Sequence, residues 1–120
     1  IHGREPLLIN PNDAKIRNLK NNDVVKVFND RGACLAGIRI SDDVMEGVVF
    51  LPVGAWYNPA NDDDTFCIHG NPNVLTDDIG CSSLSQGPSA HSTLVQIHKW
   101  EKDLPSITIF NAPVLKKLKL

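Results

Sequence analysis

The run from Asn22 to Pro52, NDVVKVFNDRGACLAGIRISDDVMEGVVFLP, leaves few architectures open. Val24, Val25 and Val27 stiffen a first strand, because β-branched side chains lose little further χ1 freedom on a pleated surface. Asn29-Asp30-Arg31-Gly32 is a turn, with short polar side chains that bond locally and a final glycine free to take positive φ. From Ala33 to Ile40 the chain returns as a strand with Cys34, Ala36, Ile38 and Ile40 on one face. Leu35, Gly37, Arg39 and Ser41 lie on the other, and the small Ala36-Gly37 pair suits a place where another backbone passes closely. Ser41 to Gly47 is a short polar crossover. Val48 to Leu51 has no polar face, so both of its faces should be covered. A barrel or sandwich core fits this pattern, and a one-sided sheet does not.

Length and composition narrow the class. At 120 residues the chain is one domain, and 42% hydrophobic with 22% charged residues is ordinary for a folded one. A net charge of −2 supplies no basic patch for nucleic acid or an anionic membrane. No apolar run approaches the roughly 20 residues that span a bilayer, so no membrane insertion is expected. Cys34, Cys67 and Cys81 lie far apart without a C-x-x-C pair, which suggests buried or partly buried thiols rather than a disulfide framework.

Along the rest of the chain, Leu7 to Ile9 is a short strand. Asn10 is the N-cap of a helix with Pro11 at its first position and Asp13 in its first turn. Two adjacent aromatics, Trp56 and Tyr57, lie in a loop between Gly54 and Pro59. Residues 60–76 read as a long polar loop, and a loop of that length is more often functional or mobile than structural. Residues 75–85 are irregular with a possible helical turn, and Gln86 to Ala90 is a turn. His91 to Trp100 alternates, with Thr93, Val95, Ile97 and Lys99 on one face. Ser106 to Phe110 reads as a further strand, and Val114 to Leu120 as a basic tail.

Self-contained chemistry is sparse. Asp62-Asp63-Asp64 lacks the spacing and glycine of a calcium loop and reads as a solvated acidic loop. Cys67-Ile68-His69 has no second ligand pair for zinc. Ser85, Ser89 and Ser92 lie near His91, yet no G-x-S-x-G elbow is present. Phosphate-cradling glycine loops are also missing. No catalytic residue and no metal ligand is assigned from the residues alone.

Three stretches nonetheless carry a resemblance: HGREPLLINPNDAKIRNLKNNDVVKVFNDRGACLAG, GVVFLPVGAWYNP and NPNVLTDDIGCSSLSQG. In this order they are similar to the C-terminal part of bacterial molybdopterin oxidoreductases. Within these the chain most resembles the dimethyl sulfoxide, trimethylamine N-oxide and biotin sulfoxide reductase group. The family pattern is met at Ala14, Asp23, Val25, Val27, Asn29 and Gly32; Asn18-Leu19 and Ile38 depart from it.

The resemblance implies a mainly β fold, a six-stranded double-psi β-barrel with short helices. It implies that residues 1–120 are a single excised C-terminal domain, in keeping with a start at Ile1 rather than Met. The cofactor would be bis(molybdopterin guanine dinucleotide) molybdenum, held jointly with earlier domains of the same oxidoreductase. The parent reaction would be reduction of an S- or N-oxide, which the isolated domain would not perform. Asn73, Gln86, Ser89 and His91 match cofactor-contacting positions, and Trp56-Tyr57 the substrate funnel or the packing beneath it. The resemblance leads to a periplasmic protein, in anaerobic respiration, with a membrane cytochrome as a possible electron donor. A rival reading is a stand-alone double-psi barrel serving as a protein-interaction or substrate-recognition module. A third is a small hydrolase pairing His91 with a neighbouring serine.

Overall fold

A computed structural model describes residues 1–117, and its regular structure is mainly β. The opening follows its local signals closely. Strand β1 (Pro6–Ile9) leads into helix α1 (Pro11–Ile16), where the Asn10 side chain accepts from the Asn12 amide at 2.9 Å. Pro11 occupies the first helical position, whose amide would have no partner in any case. Ala14 and Leu19 turn inward and anchor the helix to the sheet.

Strands β2 (Val24–Phe28) and β3 (Ala33–Ile40) form an antiparallel hairpin from Val24↔Gly37 to Phe28↔Ala33. The other edge of β3 carries two parallel neighbours in tandem. Strand β1 pairs with its last four residues, Gly37 to Ile40. Its first two, Ala33 and Cys34, pair with Phe66 and Cys67. β3 is therefore flanked along its whole length, and Ala33 to Ile38 are all buried. Cys34, Ala36 and Ile38 join Leu7, Ile9 and Val25 in the main core. Leu35 lies on the reverse face with Val24 and Ile68. Leu7, Ile9, Leu35 and Ile38 are fully enclosed, each contributing about 1.5–3 kcal/mol through apolar area removed from water. Gly37 marks a close approach, but by a side chain rather than a backbone. A Cβ there would lie 2.3 Å from the Cβ of Ile1.

Beyond β3 the structure departs from the sequence reading in four places. Strand β4 is only Val49–Phe50, pairing with β1 alone, and Val48, Phe50 and Val53 are exposed. The apolar run is thus not covered on both faces. Residues 60–76 hold a hairpin, β5 (Pro59–Ala60) with β6 (Asp63–Cys67), turned at Asp62 with φ 62°. Asp63 serves that turn by accepting from the amide and hydroxyl of Thr65, bonds that hold its carboxyl below the usual range. Poor strand formers hid β6, whose partner β3 is distant in sequence. The alternating run after His91 is strand only at β7 (Gln96–Lys99), which joins β2, and its Ile97 is buried as the alternation requires. Ser106 to Phe110 is not a strand.

That last segment is held by two buried polar side chains instead. Asn58 accepts from the amides of Thr108 (2.8 Å) and Ile109 (3.0 Å) and donates to the Thr108 hydroxyl (3.1 Å). Arg4 donates to the carbonyls of Ile68 (3.1 Å), His2 (2.6 Å) and Pro105, while burial lowers the pKa of its guanidinium. These bonds satisfy groups that would be costly to bury alone.

The sheet runs β4-β1-β3-β2-β7, with β6 beside β3 and β5 beyond β6, and curls into half a barrel. The chain's radius of gyration is 16.3 Å, against about 14 Å for a closely packed domain of this length. Cys34 and Cys67 are buried neighbours, whereas Cys81 is exposed, contrary to expectation. Of the expected basic tail, Val114 and Leu115 are exposed, and residues 118–120 lie outside the described residues. Among the described residues no helix is long and apolar enough to cross a membrane.

Candidate functional site

Where the sheet stays open, a groove of about 370 Å³ lies between the β1–β4 side and the segment leading into β7. Phe50, Leu51, Pro52 and Val53 form an apolar wall, and Asn73, Thr76, His91 and Thr93 bring polar atoms to the same space. A second groove of about 310 Å³ shares Val49, His91, Thr93 and Val95 and reaches Asp13 and Arg17 of α1. Apolar walls with a few convergent polar groups are the usual make-up of a small-molecule site.

Asn73 reaches this position through local turn chemistry. The Asn71 side chain accepts from the Asn73 amide (2.9 Å), capping a 3₁₀ turn over Pro72–Val74. Leu75, its amide bonded to the Pro72 carbonyl at 3.0 Å, is buried and plugs the turn into the core. His91 sits in a second 3₁₀ turn, Ala90–Ser92, closed by the Thr93 hydroxyl on the Ala90 carbonyl (2.9 Å). Both side chains are exposed, and neither has a hydrogen-bond partner among the described residues. No bond joins His91 to a serine.

Gln86 and Ser89 belong to a different feature. The loop from Ile79 to Ser89 closes on itself through Cys81 N to the Gly87 carbonyl (2.7 Å) and Ser89 N to the Ile79 carbonyl (3.1 Å). Gln86, at φ 52°, donates its amide to the carbonyls of Ser82 (3.1 Å) and Ser83 (3.2 Å). Ser89 lines a smaller cavity of about 150 Å³ with Arg31 and Asp77. The groove thus brings Asn73 and His91 together and leaves Gln86 and Ser89 beside it.

Trp56 and Tyr57 are elsewhere. Trp56 packs on Phe110 with ring centroids 5.5 Å apart, and His69 meets Phe110 edge-on at 5.3 Å. His69 Nδ1 lies 2.8 Å from the Trp56 carbonyl, and the Tyr57 hydroxyl donates to the Asp64 carbonyl. Trp56 therefore packs on the clamped C-terminal segment, Tyr57 is tied to β6, and neither lines the groove.

Two residues read only as turn formers hold the groove in place. Asn29 donates to the carbonyls of Leu75 (2.8 Å) and Leu94 (3.1 Å), and Arg31 Nε donates to the same Leu75 carbonyl (2.7 Å). Arg31 also meets Asp77 at 3.2 Å, a half-exposed pair worth little in itself. Thr76 and Thr93 were likewise not singled out from sequence; isolated threonines carry no pattern that would mark them.

The donor set suits a flat heterocycle with polar edges. An amide offers donors and an acceptor side by side, and an imidazole offers one of each. Asn73 and His91 would hold such a group's edge, with Phe50 to Val53 against its face.

The family described as Molydopterin dinucleotide binding domain matches residues 1–94. The trimethylamine-N-oxide reductase of Salmonella typhimurium strain LT2 is 49% identical over 116 residues, 95% of this chain and 14% of that protein. Trimethylamine-N-oxide reductase 1 of Escherichia coli K12 is 49% identical over 110 residues, 90% of this chain and 13% of that protein. The Vibrio cholerae trimethylamine-N-oxide reductase is 44% identical over 115 residues, again 95% and 14%. The chain thus spans about 14% of the length of the curated relatives it matches. With its curled β sheet and its groove of amide, imidazole and hydroxyl groups, this chain belongs to the molybdopterin dinucleotide-binding domain family.

Proposed function

We propose that this chain is the cofactor-binding domain of a larger molybdenum oxidoreductase that reduces an N-oxide or S-oxide, with trimethylamine N-oxide as the first substrate to test. What carries the reading is the match of residues 1–94 to the family together with relatives named for trimethylamine-N-oxide reduction. The cofactor is taken to be bis(molybdopterin guanine dinucleotide), which supplies two-electron redox chemistry at molybdenum when bound. This chain's own part is to bind and orient that group and to keep water from it.

In this reading Asn73 and His91 contact the pterin edge from the groove. Gln86 and Ser89 contribute by shaping the loop that carries them, since their own backbone amides are bonded to the carbonyls of Ser82 and Ile79. Trp56 and Tyr57 act as packing beneath a substrate funnel. The open sheet becomes a six-stranded double-psi barrel, completed against earlier domains of the same polypeptide. A periplasmic location and a membrane cytochrome donor go with this assignment. The exposed apolar wall of the sheet favours burial within a larger enzyme over service as a free interaction module.

The test is turnover by the full-length protein carrying this chain, with a reduced viologen as electron donor and trimethylamine N-oxide or dimethyl sulfoxide as acceptor. Trimethylamine N-oxide should be consumed with one viologen pair oxidised per molecule, and His91→Ala should lower the rate about tenfold or more. A protein replete with molybdenum that reduces neither oxide would sink the assignment.

A further inference from the structure

We infer that Asn29 is a positioning residue for the cofactor site, setting the spacing between the segments that carry Asn73 and His91. This rests on the reading that those two side chains face the pterin. Asn29 occupies a β-hairpin turn, where its Oδ1 accepts from the amides of Arg31 (2.9 Å) and Gly32 (3.3 Å). Turn chemistry needs nothing more than that oxygen. The Nδ2 group does something a turn does not require. It donates to the Leu75 and Leu94 carbonyls, 46 and 65 residues away in sequence. Leu75 follows Asn73 by two residues, and Leu94 follows His91 by three. One amide therefore fastens both segments to the end of the β2–β3 hairpin.

The hairpin end is shaped for this contact. A Cβ on Gly32 would lie 2.6 Å from the Val74 carbonyl and 2.5 Å from that of Thr65, so the Pro72–Val74 turn rests directly on the hairpin. Arg31 reinforces one of the two fastenings through the Leu75 carbonyl. Only Asn29 spans both. All of its amide hydrogens and both sides of its oxygen are engaged, which leaves no rotational freedom in the link.

Aspartate and asparagine serve a turn equally well, which makes the test selective. Asn29→Asp keeps the oxygen that accepts from Arg31 and Gly32 and loses both donations. Asn29→Ser keeps a turn oxygen without adding charge and also loses them. The readout is molybdenum and pterin per chain in the full-length protein after gel filtration, with the visible spectrum of the bound cofactor and far-ultraviolet circular dichroism. Asn73→Ala and His91→Ala are measured in parallel. Both Asn29 variants should retain native dichroism, shift the cofactor spectrum and lose cofactor about tenfold, as Asn73→Ala and His91→Ala should. Full occupancy in Asn29→Asp, with loss in Asn73→Ala or His91→Ala, overturns the inference and leaves the site reading standing. Full occupancy in both Asn73→Ala and His91→Ala overturns the site reading and the inference with it. Failure of both Asn29 variants to fold overturns it too, since Asn29 would then serve the fold at large.

Discussion

Single side chains in this protein set properties that no element-level description predicts. Cys34 lies on the central strand, fully buried and paired in register with Cys67. Burial, helped by the neighbouring Cys67, pushes its thiol up from 9.0 to about 12. Because the folded state holds the proton that the unfolded chain releases, this group's stabilisation is complete below pH 9.0 and falls away toward about pH 12. The slope in that window is about 1.4 kcal/mol per pH unit for one group. The cost of Cys34→Ala, measured by thermal melting, should therefore shrink as pH rises from 8 to 11. Parallel decline of the two proteins would show that Cys34 ionises freely. Iodoacetamide at pH 8 should label Cys81 in the native protein and reach the other two only on unfolding. The sequence reading of three buried or partly buried thiols held for Cys34 and Cys67, as expected of free cysteine, which is among the most buried residue types. It failed for Cys81 because nothing local distinguishes a cysteine in an exposed loop.

At the scale of elements, what was legible in the sequence was whatever local chemistry decides. Asn10-Pro11, the Val-rich strand, the Asn29–Gly32 turn and the whole of Ala33–Ile40 fall where their residues indicate. The misses are elements that depend on distant partners. β6 contains consecutive aspartates and exists because β3 and β5 offer edges to it. Ser106–Phe110 has strand-like composition but meets Asn58 before it can meet a sheet edge. The candidate site follows the same division. Asn73 was singled out through the resemblance to a family and not by a local motif, and its place beside His91 in one groove has no local signature. The Asn58 clamp can be tested by the amides it serves. Asn58→Ala leaves the Thr108 and Ile109 amides without their acceptor and should cost about 2–3 kcal/mol. Hydrogen exchange at those two amides should rise to the rate of open chain, while Thr108→Val, which removes only the hydroxyl, should keep them protected. Unchanged protection in Asn58→Ala would mean that packing of Phe110 on Trp56 and His69 holds the segment unaided.

At the scale of the whole molecule, one side of the sheet is left open. The sheet curls without closing, and the chain's radius of gyration of 16.3 Å exceeds that of a closely packed domain. Phe50, Val53 and Met45 are exposed on or near the β4 side, and among the described residues β4 has a single strand partner. An apolar strand with a free edge is a template for association with any chain that can cover it. Within a full-length oxidoreductase the remaining polypeptide would provide that cover, which fits a chain spanning about 14% of its relatives. Expressed alone, residues 1–120 should therefore associate as concentration rises. Phe50→Asp should weaken this association by charging the exposed edge, and it should change little in the fold, because Phe50 is exposed and belongs to neither core cluster. Sedimentation velocity across a wide concentration range reads both effects. A wild-type chain that stays monomeric would mean that the open face is tolerated by water, and the need for a covering domain would have to rest on the cofactor alone. Association in which Phe50→Asp behaves like wild type would move the contact away from β4, toward the Trp56–Phe110 cluster on the C-terminal segment.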